Sequence, residues 1–265
     1  MNGTTLAIRV IPIVLYDGST AVKPVSFARP ARPVGSVVQV ARTYAMRQVD
    51  EIVFLDIAAR REGRGPDLAT VESFARELMG PFAVGGGVRD LEDVKALLDV
   101  GADKVVIGIG GMRVRGRLLE KIAEKYGRQM LVVAIDAVRV EMGSSAHPQI
   151  WTVWDHVEGK PTGGDAMVGI RTAASRGAGE ILLTSVDREG TRTGYDVELI
   201  KRAVPQVEVP VIAHGGCGIP AHAIEALAAG ASAVAAASIF HFTEHRPIDL
   251  REMLGAAGYP IRGAA

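Results

Sequence analysis

Short runs rich in valine and isoleucine recur along the chain, at residues 8–14, 51–57, 82–84, 104–107, 131–135, 180–183, 211–213 and 233–236. Stretches with apolar positions every three or four residues lie between them, as at 71–79, 91–100, 118–126 and 221–229. The first pattern predicts strands and the second amphipathic helices. Their alternation predicts parallel strands joined by crossover helices. The strand runs are almost continuously apolar, as expected of strands buried on both faces. Eight of them predict a closed (βα)8 TIM barrel of the α/β class, one domain over residues 1–265. Residues 151–157 read as an added hairpin strand after the fifth barrel strand.

An internal repeat sharpens this reading. EIVFLDI at 51–57 is echoed by EILLTSV at 180–186, and GADKVVI at 101–107 by GASAVAA at 230–236, both at an offset of 129 residues. The glycines at 85–87 return at 215–218, at an offset of 130. Three ordered pairs at nearly constant spacing predict two tandem half-barrels, residues 1–128 and 129–265, of four βα units each.

Composition mainly excludes. Thirty Lys and Arg balance thirty Asp and Glu, so the chain lacks the basic excess of a nucleic-acid binder. At 48 % hydrophobic residues it can bury a large core. No apolar run reaches the roughly 18 residues of a spanning helix, and the N-terminus shows no secretory signal, so a cytoplasmic protein is expected. The single cysteine, Cys217, rules out an internal disulfide and a cysteine-built zinc site. No two histidines have metal-ligand spacing on a helix; neither a metal nor a cofactor is expected.

A strand that ends in glycines and opens a helix turns unpaired backbone N–H groups toward an anion. Gly86 and Gly87 do this after the third strand, Gly215 and Gly216 after the seventh. In such barrels phosphate commonly sits between the loops after strands seven and eight, and the repeat supplies the same arrangement after strands three and four. Two cradles across one mouth imply a substrate phosphorylated at both ends. The loop after strand eight keeps a hydroxyl, Ser238, whereas Gly108 and the residues after it offer backbone alone. The arginine-rich stretch 60–65 reads as a loop over the mouth, able to attract phosphates.

Several motifs point to one family: RVIP (9–12), DEIVFLD (50–56), VGGGV (84–88), GADKV (101–105), VVAID (132–136), GAGEILLTSVDREGT (177–191) and SIFHF (238–242). Together they resemble the HisF family, the cyclase subunit of imidazole glycerol phosphate synthase, over about residues 9–262. The resemblance implies a barrel lyase of histidine biosynthesis. It takes ammonia from a HisH-like glutaminase docked on the N-terminal face of the barrel, near Asp103 and Lys104. The ammonia joins a bisphosphorylated ribulosyl carboxamide intermediate, giving imidazole glycerol phosphate and an aminoimidazole carboxamide ribotide. Carried over, the resemblance makes Asp136 a catalytic carboxylate, which agrees with its place at the C-terminal end of a barrel strand. It adds Lys23, Thr184, Glu189 and Gly190 to the substrate and phosphate contacts, and makes Arg9, Glu51, Lys104 and Glu180 a charged gate for ammonia.

One catalytic position departs from the pattern. The repeat aligns residues 134–136 with 13–15, so the second carboxylate is expected at position 15, which is leucine. Leu15 moves no proton, and losing one acid/base group costs a factor of about 10² to 10⁴. Asp17 is the nearest carboxylate but belongs more naturally to the turn Asp17-Gly18. The family's Asp-Gly-Thr after strand six is here Glu189-Gly-Thr, and its Asn-Thr after strand four is Gly108-Ile. An apolar strand-one position and Pro66-Asp67 resemble a paralogous branch that passes ammonia to an amidation step in surface-sugar biosynthesis. That branch is the expectation from sequence; the alternative is a genuine histidine-pathway cyclase. His156, Trp151 and Trp154 are expected at the pocket rim, and Cys217 and His241 are expected to pack rather than react.

Overall fold

Apolar runs too short for helices form the inner strands of the computed structural model, which describes residues 7–28, 30–47, 49–108, 117–141 and 149–262. β1 (Arg9–Tyr16) leads into a hairpin, β2 (Ala21–Lys23) and β3 (Arg32–Gly35), and then α1 (Val37–Met46). There follow β4 (Ile52–Asp56), α2 (Leu68–Ala75), β5 (Phe82–Gly85), α3 (Leu91–Asp99), β6 (Lys104–Gly108) and α4 (Leu118–Tyr126). The later part holds β7 (Leu131–Glu141), a hairpin of β8 (Gln149–Asp155) and β9 (Lys160–Asp165), and α5 (Ala166–Ser175). After these come β10 (Glu180–Ser185), α6 (Val197–Ala203), β11 (Val211–His214), α7 (Pro220–Ala228), β12 (Ala233–Ala236), α8 (Ser238–Phe242) and α9 (Pro247–Ala256). Parallel pairing runs β1, β4, β5, β6, β7, β10, β11, β12 and back to β1, closing a TIM barrel. β1 and β7 therefore stand on opposite walls.

Side chains sort by the two-residue period of a strand. On β1, Ile11, Ile13 and Leu15 point into the barrel, whereas Val10, Val14 and Tyr16 face the helices. The barrel interior is apolar and partly lined by small residues, Ala83, Ala134, Ala233 and Ala235. Outside it, Phe74 of α2 sits between Phe54 and Phe82, with ring centroids 4.9 and 5.6 Å away. The helix expected over 71–79 starts earlier, at Leu68, because the Asp67 carboxylate caps it by accepting the Thr70 N–H. Pro66-Asp67 thus has a structural task. Among the described residues no helix is long and apolar enough to cross a membrane.

Two hairpins decorate the C-terminal face. The first, β2–β3, folds back antiparallel from the end of β1. β7 runs eleven residues, its first part in the barrel and its last part, from Ala137, paired antiparallel with β8. Both hairpins carry residues to the mouth of the barrel.

Candidate active site and charged ring

At the N-terminal end of the barrel, four strand starts bring their charges together. Arg9 reaches Glu51 at 2.6 Å and Glu180 at 2.5 Å, and Lys104 reaches Glu51 at 3.0 Å and Glu180 at 2.9 Å. Each cation thus bridges both anions, and the ring closes. Burial works against the Glu180 charge, yet Arg9 and Lys104 hold its carboxyl below its ordinary value. The Arg9 guanidinium, also opposed by burial, is raised by the two carboxylates. Paired charges of zero sum tolerate such a half-dry place where one alone would not. Asp103, exposed beside them, accepts the Phe82 N–H at 2.8 Å.

At the opposite end lies a cavity of about 990 Å³ whose floor includes Leu15, Leu55, Val106, Ala134 and Leu182. Strand register fixes how positions 15 and 136 relate. Leu15 pairs with Leu55, and Asp136 pairs with Thr184, the repeat equivalent of Leu55 at the offset of 129. Leu15 is therefore the geometric counterpart of Asp136, facing the same cavity from the opposite wall. Asp17 does not replace it. Its carboxylate accepts the N–H groups of Ser19 and Thr20 and the Ser19 hydroxyl, so it is committed to its turn.

Asp136 is not alone. His156, in the turn after β8, sets its Nε2 2.5 Å from Asp136 Oδ2. Burial opposes charge on both, but each holds the other ionised: Asp136 lies below, and His156 above, its ordinary value. Of the three rim residues expected from sequence, His156 and Trp154 line the cavity. Trp151 is instead buried, its indole N–H donating to Asp196 at 3.0 Å. One residue separates this strand position from Val153 on the same face, whereas Trp154 lies on the other.

A second polar chain starts at Thr184. Its hydroxyl lies 3.2 Å from His214 Nδ1, and His214 Nε2 lies 3.3 Å from Glu189, whose other oxygen contacts the Lys23 ammonium. Lys23 and Glu189 are 3 % and 2 % exposed, and neither lines the cavity. Burial pulls Lys23 down to about 7.

The phosphate loops divide unequally. Gly86, Gly87 and Gly108 line the cavity, while Gly190, Gly215, Gly216 and Ser238 do not; His214 takes the lining at that end. Gly86 and Gly216 adopt positive φ (109° and 100°), and a Cβ would fall 2.3 Å from the Asp56 carbonyl and 2.1 Å from that of Gly194. Those glycines are needed for loop-on-loop packing whatever they bind. Gly108 has open space around it; Ile109 lies outside the described residues. Of the loop arginines, Arg64 grips Asp56 with both nitrogens at 2.6 and 3.0 Å, and Arg60 faces Asp155 at 3.4 Å. Cys217 is buried, its thiol pushed up to about 11.

Two buried imidazoles give the barrel a pH signature. Burial pulls His214 down to about 3 and His241, packed edge-on to Tyr44, down to about 4. An unfolded histidine titrates near 6.5, so between about pH 6.5 and 4 the unfolded chain binds more protons. Stability therefore falls as pH falls through that window, by about 1.4 kcal/mol per pH unit for each ring. His156 adds no slope there, because a raised group has its full stabilisation below its unfolded value. A urea midpoint that drops from pH 6.5 to 5, about half as steeply in His214→Gln, is expected. A flat midpoint would mean the rings are not held neutral.

Comparison with known proteins fits this geometry. The histidine biosynthesis protein family matches residues 9–246. Imidazole glycerol phosphate synthase subunit HisF of Streptomyces avermitilis is 45 % identical over 258 residues, 97 % of this chain and 100 % of that protein. The same subunit of Thermobifida fusca is 43 % identical over 258 residues, and that of Nocardioides sp. 42 % over 262, each with 97 % of this chain and all of the relative covered. The chain belongs to the HisF family. Within this HisF barrel the sequence exposes the four strand-start charges and Asp136, but not the Asp136–His156 contact or the Lys23–Glu189–His214 cluster. The only sequence signals for them are single ionisable residues in otherwise apolar or turn-forming surroundings.

Proposed function

We propose that this chain is the ammonia-using cyclase subunit of an imidazole glycerol phosphate synthase, the reading that sequence held as the alternative. The observation that carries it is one continuous arrangement: a closed ring of two cations and two anions, an apolar barrel interior, and a cavity holding Asp136. Ammonia is small and neutral, and a ring of zero net charge need not repel it. Above the ring the interior side chains offer it no hydrogen bonds that would retain it. At the cavity Asp136 and its partners supply proton transfer. Gly86, Gly87 and Gly108 are available to one phosphate of the substrate, and the loop at Gly215 and Gly216, beside the Lys23–Glu189 pair, to the second. The sugar-amidation reading, drawn from Leu15, gains no support from the named relatives, which are all synthase subunits.

The test is to supply the purified protein with ammonia and the bisphosphorylated ribulosyl carboxamide intermediate and follow both products. Equal amounts of imidazole glycerol phosphate and the carboxamide ribotide are expected; neither product at saturating ammonia would sink the proposal. Lys104→Met separates delivery from chemistry. It leaves Glu51 and Glu180 with Arg9 alone, so glutamine-dependent turnover with a partner glutaminase should fall by about tenfold, or roughly 1.4 kcal/mol. Turnover fed by free ammonia should hold. Equal losses in both assays would remove the gate from the account.

A further inference from the structure

We infer that His156 is the second proton-transfer group of this centre, held for that task by Asp136 and moving the proton that Leu15 cannot. This rests on the cyclase reading above. The imidazole lines the cavity with Nε2 2.5 Å from the carboxylate. Among the described residues its Nδ1 has no hydrogen-bond partner, which leaves that nitrogen to exchange a proton. A buried carboxylate on one ring nitrogen fixes the tautomer and stabilises the imidazolium.

The hairpin from β1 supplies independent support. Ser26 and Phe27 are consecutive non-glycine residues in the left-handed region, with φ of 46° and 59°. Left-handed backbone is strained for such residues, and strain of this kind persists where the surroundings hold it. The Ser26 N–H, 2.7 Å from the Glu189 carbonyl, anchors the turn. The result is a Phe27 ring centred 4.8 Å from the His156 ring and tilted 44° to it. The remaining charges near the imidazole, Arg60 and Asp155, oppose one another and are themselves paired. Meanwhile the facing wall, at Leu15, is apolar.

In the addition step, ammonia nitrogen bonds to the ribulosyl carbonyl carbon as the C=O π pair moves to oxygen. The imidazolium gives its Nδ1 proton to that oxygen, and Nδ1 then takes one proton back from the nitrogen. Carbonyl and ammonia thereby become a carbinolamine, and His156 returns to its starting state. One imidazole working with its carboxylate does in sequence what two groups on opposite walls would share.

The experiment measures kcat and KM against pH, at fixed free-ammonia concentration, for wild type, His156→Gln and His156→Gln/Leu15→Asp. For His156→Gln, kcat is expected to fall by about 10² to 10⁴ with KM little changed, and the limb of the profile set by the imidazole should vanish. The double variant returns a carboxylate to the opposite wall and is expected to regain at least about tenfold, which a folding defect would not allow. A His156→Gln enzyme as fast as wild type, or one slowed with the limb still present, would overturn the assignment and leave the cyclase reading standing. A wild type that forms no product removes the cyclase reading first, and this inference with it.

Discussion

Replacing Asp136 by asparagine is expected to lower ammonia-dependent kcat by about 10⁴ while KM and thermal stability change little. Asparagine keeps the shape of the side chain and can still bond Thr184 and His156. It removes the charge that offsets the cost of burying an imidazolium. Burial then acts on His156 unopposed, and its raised affinity for a proton is lost. Because the two side chains meet at 2.5 Å, their effects should not add. The Asp136→Asn/His156→Gln double variant is expected to be about as slow as either single one. If the losses multiply instead, the two residues act separately. If Asp136→Asn costs less than about tenfold, the carboxylate is not part of the chemistry.

The barrel was legible because its strands are buried on both faces and therefore read as apolar runs. The site was legible only where local sequence and topology coincide. Strand starts carry Arg9, Glu51, Lys104 and Glu180, and an eight-strand barrel brings such positions together without any further information. The internal repeat likewise marks position 15 as the counterpart of Asp136, and the register of β1 on β4 and β7 on β10 agrees. Turns carry no such rule. His156 reaches Asp136 only because β7 runs past the barrel rim and β8 returns antiparallel to it, so twenty residues of chain close on themselves. Lys23 and Glu189 are farther apart still, and each alone looks like a surface charge of the kind that rarely stays buried. Their pairing depends on the β2–β3 hairpin folding against the loop after β10, where Gly190 lets the Pro24 carbonyl approach closely.

That buried pair leads to the largest expected effect on stability. Glu189→Ala should destabilise the barrel by about 3–5 kcal/mol, read as a lower denaturant midpoint at pH 6, where Lys23 carries its charge. The loss comes less from the missing attraction than from what remains: an ammonium 3 % exposed with His214 as its polar neighbour and no counter-charge. Lys23 can lower the cost by giving up its proton, which burial already favours. Between about pH 7 and the 10.5 of a free lysine only the unfolded chain holds that proton, so the barrel's own stability should rise with pH over that range. Lys23→Met/Glu189→Leu removes both charges at similar volume and should recover most of the midpoint, since a buried ion pair adds little over apolar packing once its desolvation is counted. If the double variant is as unstable as Glu189→Ala, packing of the carboxylate, and not the stranded charge, sets the cost. The same comparison bears on substrate. With the pair gone and the fold intact, His214 and the glycines at 215 and 216 are relieved of the ionic cluster beside them. KM for the bisphosphorylated intermediate should then rise in the apolar double variant if Lys23 turns from Glu189 to a phosphate when substrate binds, and stay unchanged if the pair only supports the fold.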